Sequence, residues 1–449
     1  MARLRICYAN GLNLNNKFYV CINGADHLPR TRKTTSVPMQ GAFISETYMF
    51  GLLSRRESGD GACPISLGIR ARGYRRGSGL CWVAGLCGAS TGLPVAAQSQ
   101  PVTQAQTQTQ TQTQGQPLTS SLTLSGLLGA GVLYTRDSDG GGKLQQTGTH
   151  AAPSIALSGR ESLGGGLSAI FRWSQYVFTD TGTMAPLESY VGLTSATWGS
   201  FTMGAMYDLL ADAVPFTSER FTSLLATHPG NLDRTVGTAL NNTLKYKSPV
   251  RGGWQFGAMY GAAERDSATH TGRVMGAQLG YTDGPLQAVA IWESVKGVPY
   301  APGLRLGVPR LYGQDFSQAP ATAISQDQET GTAGLAYTRD GWRWMGNYSH
   351  TRLSALGRRE RAQTLDLGFY KYVTPALRVG GGYAFTRLAS YRWSQAHAHA
   401  DYALSRRTSL YVLGVVQQAG EGQKAVMRNQ APASGRRQLA LEVGVTHAF

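Results

Sequence analysis

The sequence predicts an all-β fold, a 16-stranded antiparallel β-barrel that spans a membrane. Three observations carry this. From about Leu118 onward, short stretches of alternating apolar and polar residues recur, with no convincing amphipathic helix between them. The connections between these stretches alternate, short then long. No window holds the roughly 18 uninterrupted apolar residues that a membrane helix requires, whereas alternating strands average out as polar, as the slightly negative mean hydropathy here does.

The chain has 449 residues, a net charge of +16 and five cysteines, none beyond Cys87. A cysteine-free remainder suits an oxidising compartment. Residues 1–67 show no period and read as an N-terminal extension, from a start site placed too far upstream or as part of one long leader. A basic block at 70–76 and an apolar, small-residue run at 80–97, ending Val95-Ala-Ala97, follow the order of a secretory signal peptide, assigned to 68–97. Residues 98–119 hold an alternating Gln/Thr tract that cannot bury a core and read as a disordered spacer.

The barrel is assigned to 120–449. Its strands are predicted at 121–134, 153–161, 167–178, 190–197, 201–207, 240–247, 254–263, 274–282, 286–295, 332–339, 343–351, 363–372, 376–386, 393–404, 408–417 and 438–449. Short connections at 163–166, 198–200, 248–253, 283–285, 340–342, 374–375 and 405–407 are rich in Gly, Pro, Asp and Ser, the tight-turn residues. Long ones are predicted at 135–152, 179–189, 208–239, 264–273, 296–331, 352–362, 387–392 and 418–437. Membrane barrels sort their connections in this way.

Alternation assigns the faces. Leu365, Leu367 and Phe369 alternate with Asp366, Leu377 and Val379 with Arg378, and Leu244 and Tyr246 with Lys245 and Lys247. The charged face suits a wet lumen, because an unpaired charge in a dry interior costs several kcal/mol or more. In the last strand Leu439, Leu441, Val443, Val445 and Phe449 oppose Gln438, Glu442, Gly444 and Thr446. That strand must pair with the first, since an open edge in lipid leaves backbone groups unpaired.

His397 and His399 share a face with Asp401, a pattern that could bind a metal, but a lumen lining explains it without one. No metal, cofactor or catalytic residue is assigned; Asp366, Asp401, His397 and His399 come nearest to an enzyme's set and sit mid-strand. The surplus cations are scattered singly, without the stripe or aromatic platform of a nucleic-acid binder.

Several motifs together resemble one family. They are the opening strand 120–126, the hairpin 161–171, Tyr190-Val-Gly-Leu193 with Trp198-Gly-Ser-Phe-Thr-Met-Gly204, Asn242-Thr-Leu-Lys-Tyr-Lys-Ser-Pro249, the turn 402–408, and the closing Gly444-Val-Thr-His-Ala-Phe449. This resembles the trimeric, 16-stranded general-diffusion porins of Neisseria-like and Burkholderia-like Gram-negative bacteria. The resemblance implies a homotrimer in the cell outer membrane, among its lipid and lipopolysaccharide, passing small hydrophilic solutes and ions passively. It implies that the barrel-assembly machinery reads Phe449. It also implies that the third long loop folds into the lumen, carrying Asp208, Asp212, Glu219, Arg220, Asp233 and Arg234 towards a basic wall. Three wall cations usual in the family are absent, at Ser154, Ser158 and within Gly204-Ala-Met206; Arg172, Lys245 and Lys247 remain. A weak anion preference follows, with a substrate-specific channel as the alternative and a barrel enzyme behind it.

Overall fold

A computed structural model describes residues 120–137, 141–148, 150–218, 223–262 and 273–449. The extension, the signal peptide and the spacer expected within 1–119 lie outside the described residues.

Sixteen antiparallel strands form one closed sheet. The first half comprises β1 (Ser120–Asp137), β2 in two segments (Gly142–Thr147 and Ser154–Gly164), β3 (Leu167–Phe178), β4 (Thr183–Ser195), β5 (Gly199–Tyr207), β6 (Ala239–Lys247), β7 (Trp254–Gly261) and β8 (Val274–Asp283). The second comprises β9 (Leu286–Tyr300), β10 (Ile324–Arg339), β11 (Trp342–Ala355), β12 (Arg358–Tyr372), β13 (Leu377–Leu388), β14 (Tyr391–Ala403), β15 (Thr408–Ala419) and β16 (Arg437–Ala448). Each strand pairs with its neighbours in sequence, and β1 pairs with β16 from Leu127↔Ala448 to Asp137↔Gln438. Gly126 and Phe449 complete the join by exchanging N–H···O bonds of 3.0 Å. A methyl group at 126 would strike the Phe449 ring, so the glycine makes room for it.

Residues alternate between the two surfaces in the inverse of a soluble core. Leu365 is 44% exposed and Asp366 beside it 2%. Leu439, Leu441, Val443 and Val445 lie outward, whereas Gln438 and Glu442 are buried. An outward apolar band and a polar inner face fit a barrel in lipid. Aromatic rings gather at the short-turn end: Trp342 stacks on Trp344 at 5.1 Å, Phe369 lies 5.3 Å from Trp344, and Trp254 lies 4.6 Å from Tyr281. Amphipathic rings favour this boundary height.

Two expectations are corrected. First, the connections at the far end are not uniformly long. Residues 179–182, 356–357 and 389–390 are tight turns, because the flanking strands run on beyond the predicted limits. Leu356 and Gly357 both take positive φ, 52° and 72°, the conformation of a two-residue hairpin turn. Second, the inner face is not polar throughout. Met259, Val289, Ile291 and Val295 on β7 and β9 form a buried apolar patch with Met345 on β11.

A candidate channel site in the divided lumen

The third long loop joins β5 to β6 and holds three short 3-10 turns, Leu209–Phe216, Leu224–Ala226 and Pro229–Asn231. Its first turn buries Leu209, Leu210, Ala213 and Phe216 against the apolar patch, which explains why part of a porous barrel is lined with methionine and valine. Burying the two leucines and the phenylalanine contributes roughly 1.5–3 kcal/mol each.

The root of the loop is a buried ionic cluster. Asp208 accepts from the backbone N–H of Ala211 and Thr238 at 3.2 Å and pairs with the Arg234 guanidinium. Glu293 on β9 accepts from the N–H of Leu209 at 2.9 Å and lies 3.4 Å from Arg234. Removing Arg234 would leave the buried Asp208 carboxylate without its counter-charge, the costly case.

The loop then crosses to the opposite wall. Arg343 on β11 donates to the carbonyl of Pro215 at 3.0 Å. The N–H of Ser218 donates to Asp366 on β12 at 3.0 Å. Ser218 lies so close to Gly368 and Gly382 that a side chain at either would collide with it. Asp233 accepts from Ser349 on β11 and from Thr235, and its oxygen lies 2.7 Å from His228 Nε2. Burial alone would raise the Asp233 carboxyl; His228, the Ser349 hydroxyl and the Thr235 N–H outweigh it and hold it at about 2.

Glutamines hold the loops where they cross the wall. Gln395, Gln417 and Gln438 stand directly opposite one another on β14, β15 and β16, all facing inward and buried. Gln395 Nε2 donates to the carbonyls of Leu225, Ala226 and Thr227, at 3.3, 2.7 and 2.9 Å. Gln417 both donates to Val426 O (3.0 Å) and accepts from Val426 N–H (2.6 Å), while Gln438 accepts from Met427 N–H (2.8 Å). An amide suits this role because it carries both donors and an acceptor. The ladder therefore ties down the third loop and the 420–436 loop together. The 301–323 loop joins them through an apolar cluster of Leu306, Val308, Phe316, Leu353, Leu388 and Trp393. The N–H of Lys424 donates to Gly307 O at 2.9 Å, linking that loop to the 420–436 loop.

With the loops packed against β9–β16, solvent reaches the charges on the other side. Arg172 on β3 meets Glu188 on β4 at 3.0 Å, and the arginine keeps 33% exposure. Lys247 on β6 meets Asp212 of the third loop at 2.5 Å, each 29% exposed. Lys245 donates to the carbonyl of Tyr207. Arg160 on β2 donates to Ser168 Oγ at 3.2 Å and is exposed.

The candidate residues thus fall into separate groups. Asp212, Lys247, Arg172 and Lys245 line the open side; Asp208, Asp233 and Arg234 are buried in the loop's own anchors. Glu219 and Arg220 lie outside the described residues. His397 and His399 face inward with ring centroids 6.1 Å apart, and His399 Nε2 is 3.8 Å from Asp401, which is bonded to Arg378. Among the described residues no group of three His, Cys, Asp or Glu is placed to hold a metal. Sequence reasoning passed over Arg160, Glu293 and the glutamines. The recurrence of inward Gln at matching heights on three consecutive strands was the available signal.

A closed barrel with an apolar outside, charges within and loops folded into its lumen is a membrane-spanning channel. A family model for Gram-negative porins matches residues 85–416. Outer membrane porin protein 32 of Delftia acidovorans is 24% identical over 375 residues, covering 74% of this chain and 94% of the relative. The solved anion-selective porin from Comamonas acidovorans superposes with a TM-score of 0.62 at 21% identity, over 74% of this chain and all of that one. The trimer form of OmpT of Vibrio cholerae gives 0.55 at 12% identity, over 74% and 99%. The chain belongs to the Gram-negative porin family: it is an outer-membrane porin, a channel for passive diffusion of small hydrophilic solutes and ions.

Proposed function

We propose that solutes pass along the β2–β6 side of the lumen, between that wall and the third loop, and that the passage weakly prefers anions. The observation that carries this is the unequal charge there. Arg160, Arg172, Lys245 and Lys247 face Glu188 and Asp212. Two of the four cations are paired, which leaves a modest positive surplus. The ion pairs that border the passage order water there and disfavour bulky apolar solutes, while the surplus sets the ion preference. The absence of basic residues at Ser154, Ser158 and within Gly204-Ala-Met206 keeps that preference weak; Met206 itself is buried under the loop. The Comamonas relative is described as anion-selective, in line with this sign.

The channel works as a homotrimer without chemistry of its own, inserted among outer-membrane lipid and lipopolysaccharide, with Phe449 read during barrel assembly. The trimer form of OmpT supports the first point. Inward Asp366 and Asp401 are engaged by Ser218 and Arg378, which favours structural roles over catalysis. Residues 68–97 direct export and are removed; a peptide from before Gln98 in the membrane-inserted protein would refute this.

The test is single-channel conductance in a planar bilayer under a salt gradient. Large, nearly ohmic steps in groups of three, with a small reversal potential of anion-selective sign, are the expected result. A cation-selective sign would overturn the charge argument. The inward 301–323 and 420–436 loops favour a second reading, a substrate-specific channel, which small steps blocked by one solute would establish.

A further inference from the structure

Four arginines stand on the outer, lipid-side surface where the apolar band ends at the loop end: Arg352 on β11, Arg361 on β12, Arg387 on β13 and Arg392 on β14. All four are exposed. They alternate in phase with outward Tyr348, Leu365 and Phe385, so they share that face. Their placement is unfavourable for the bare protein. Arg352 lies directly across from Arg361, and Arg387 directly across from Arg392. Like charges directly opposite on neighbouring strands destabilise a sheet. Glu329 meets Arg352 at 3.2 Å and also accepts from Trp292 at 3.1 Å. Among the described residues no carboxylate is bonded to Arg361, Arg387 or Arg392.

Two further features lie just below. Tyr348 and Tyr383 turn their hydroxyls to polar partners, accepting from Gln363 at 3.0 Å and donating to Ser394 at 3.0 Å, as at a lipid–water boundary. Beside them an outward groove of about 550 Å³ runs over Ser394 and Ala396, between Tyr383 and the pair Val416 and Leu439. Its floor is of small side chains, Tyr383, Val416 and Leu439 give it apolar walls, and Arg136, Asp137, Gln418, Arg437 and Gln438 border it.

We propose that this surface is a docking site for phosphate-bearing lipid headgroups, with an acyl chain in the groove and the phosphate bridging Arg361, Arg387 and Arg392. A phosphate placed between opposed guanidiniums turns mutual repulsion into two charge-assisted, fork-shaped contacts. The groove below selects a lipid over a free anion. A second copy of this chain is disfavoured as occupant, because it would bring basic charge to basic charge. The inference rests on the membrane-channel reading, in which these strands face lipid.

The test uses the full chain in neutral detergent, as wild type and as R361Q/R387Q/R392Q, titrated with phosphatidylglycerol, phosphatidylcholine or inorganic phosphate and read by native mass spectrometry and thermal melting. Wild type is expected to bind phosphatidylglycerol at least tenfold more tightly than the variant and to gain melting temperature from it. Phosphatidylcholine should bind both proteins equally weakly, and millimolar phosphate should not displace the lipid. Without anionic lipid, the variant should melt no lower than wild type, since it has lost two repulsive pairs. Equal phosphatidylglycerol binding by both proteins would overturn the proposal. So would equal binding of the two lipids by wild type, ready displacement by free phosphate, or a variant that melts lower in neutral detergent. Conductance of the variant is read alongside: normal steps leave the channel reading intact whichever way the lipid result falls.

Discussion

Replacing Gln395 by methionine keeps the side chain's length and removes its amide. The amide serves three carbonyls of the third loop, the nearer two at 2.7 and 2.9 Å, and its oxygen accepts from Gln417 at 2.7 Å. A carbonyl left buried without a partner costs about 1–3 kcal/mol, and one rescued by water about 0.5–1.5 kcal/mol. Two carbonyls beside a wet lumen therefore put the loss near 2 kcal/mol. Since about 1.4 kcal/mol corresponds to a factor of ten, the undocked fraction of the loop should rise roughly 30-fold. Protease cleavage within 208–238 should accelerate accordingly, and single-channel records should become noisier. The unheated electrophoretic band should persist, because the strand ladder on either side of Gln395 is untouched. Unchanged cleavage and unchanged noise would refute the claim that the glutamine ladder holds the loop. Loss of the folded band would instead assign Gln395 to the wall.

Asp212→Asn releases Lys247 from its partner, so the reversal potential should move further to the anion side, the permeability ratio roughly doubling; a move the other way would count against this passage. Gly126→Val forces a side chain into the Phe449 ring and should destabilise the β1–β16 join by about 1–3 kcal/mol, seen as loss of the heat-modifiable band at lower temperature. Asp233 is held below the ordinary carboxylate value of 3.8, at about 2, so its contribution is complete above that ordinary value and is lost as pH falls through 2. Pepsin cleavage of the third loop should accordingly rise only as pH is lowered from 4 towards 2.

Periodicity made most of the barrel legible. The outward stripe of Leu365, Leu367 and Phe369, the turn at Asp340 and Gly341 with φ of 52° and 77°, and the pairing of the last strand with the first all follow from residue type. The hairpin tips at Leu356 and Ala389 do not. Both take positive φ, 52° and 51°, which neither residue favours, so the tip is set by the strands that lead into it. The arginines at 358–361 looked like loop because charge on an outward strand face is legible only when the height of the lipid boundary is known. The apolar inner patch of β9 was visible as a run, Ala288-Val-Ala-Ile-Trp292, with apolar residues on both faces; its reason is Leu209 and Phe216, which come much earlier in the chain. The inward glutamines recur on three consecutive strands, but what they hold is set by loops far away in sequence.

The join between Gly126 and Phe449 also bears on the order in which the molecule can be made. Its two edges are the farthest apart in the described chain, so the entropy of bringing them together makes this seam the last to shut. Until then both edges show unpaired backbone, which lipid does not tolerate. The third loop is synthesised before β9–β14, yet its anchors lie on them. The loop's docking is complete only once β14 has joined the sheet, so the plug is seated late, when the cylinder is nearly closed or already shut.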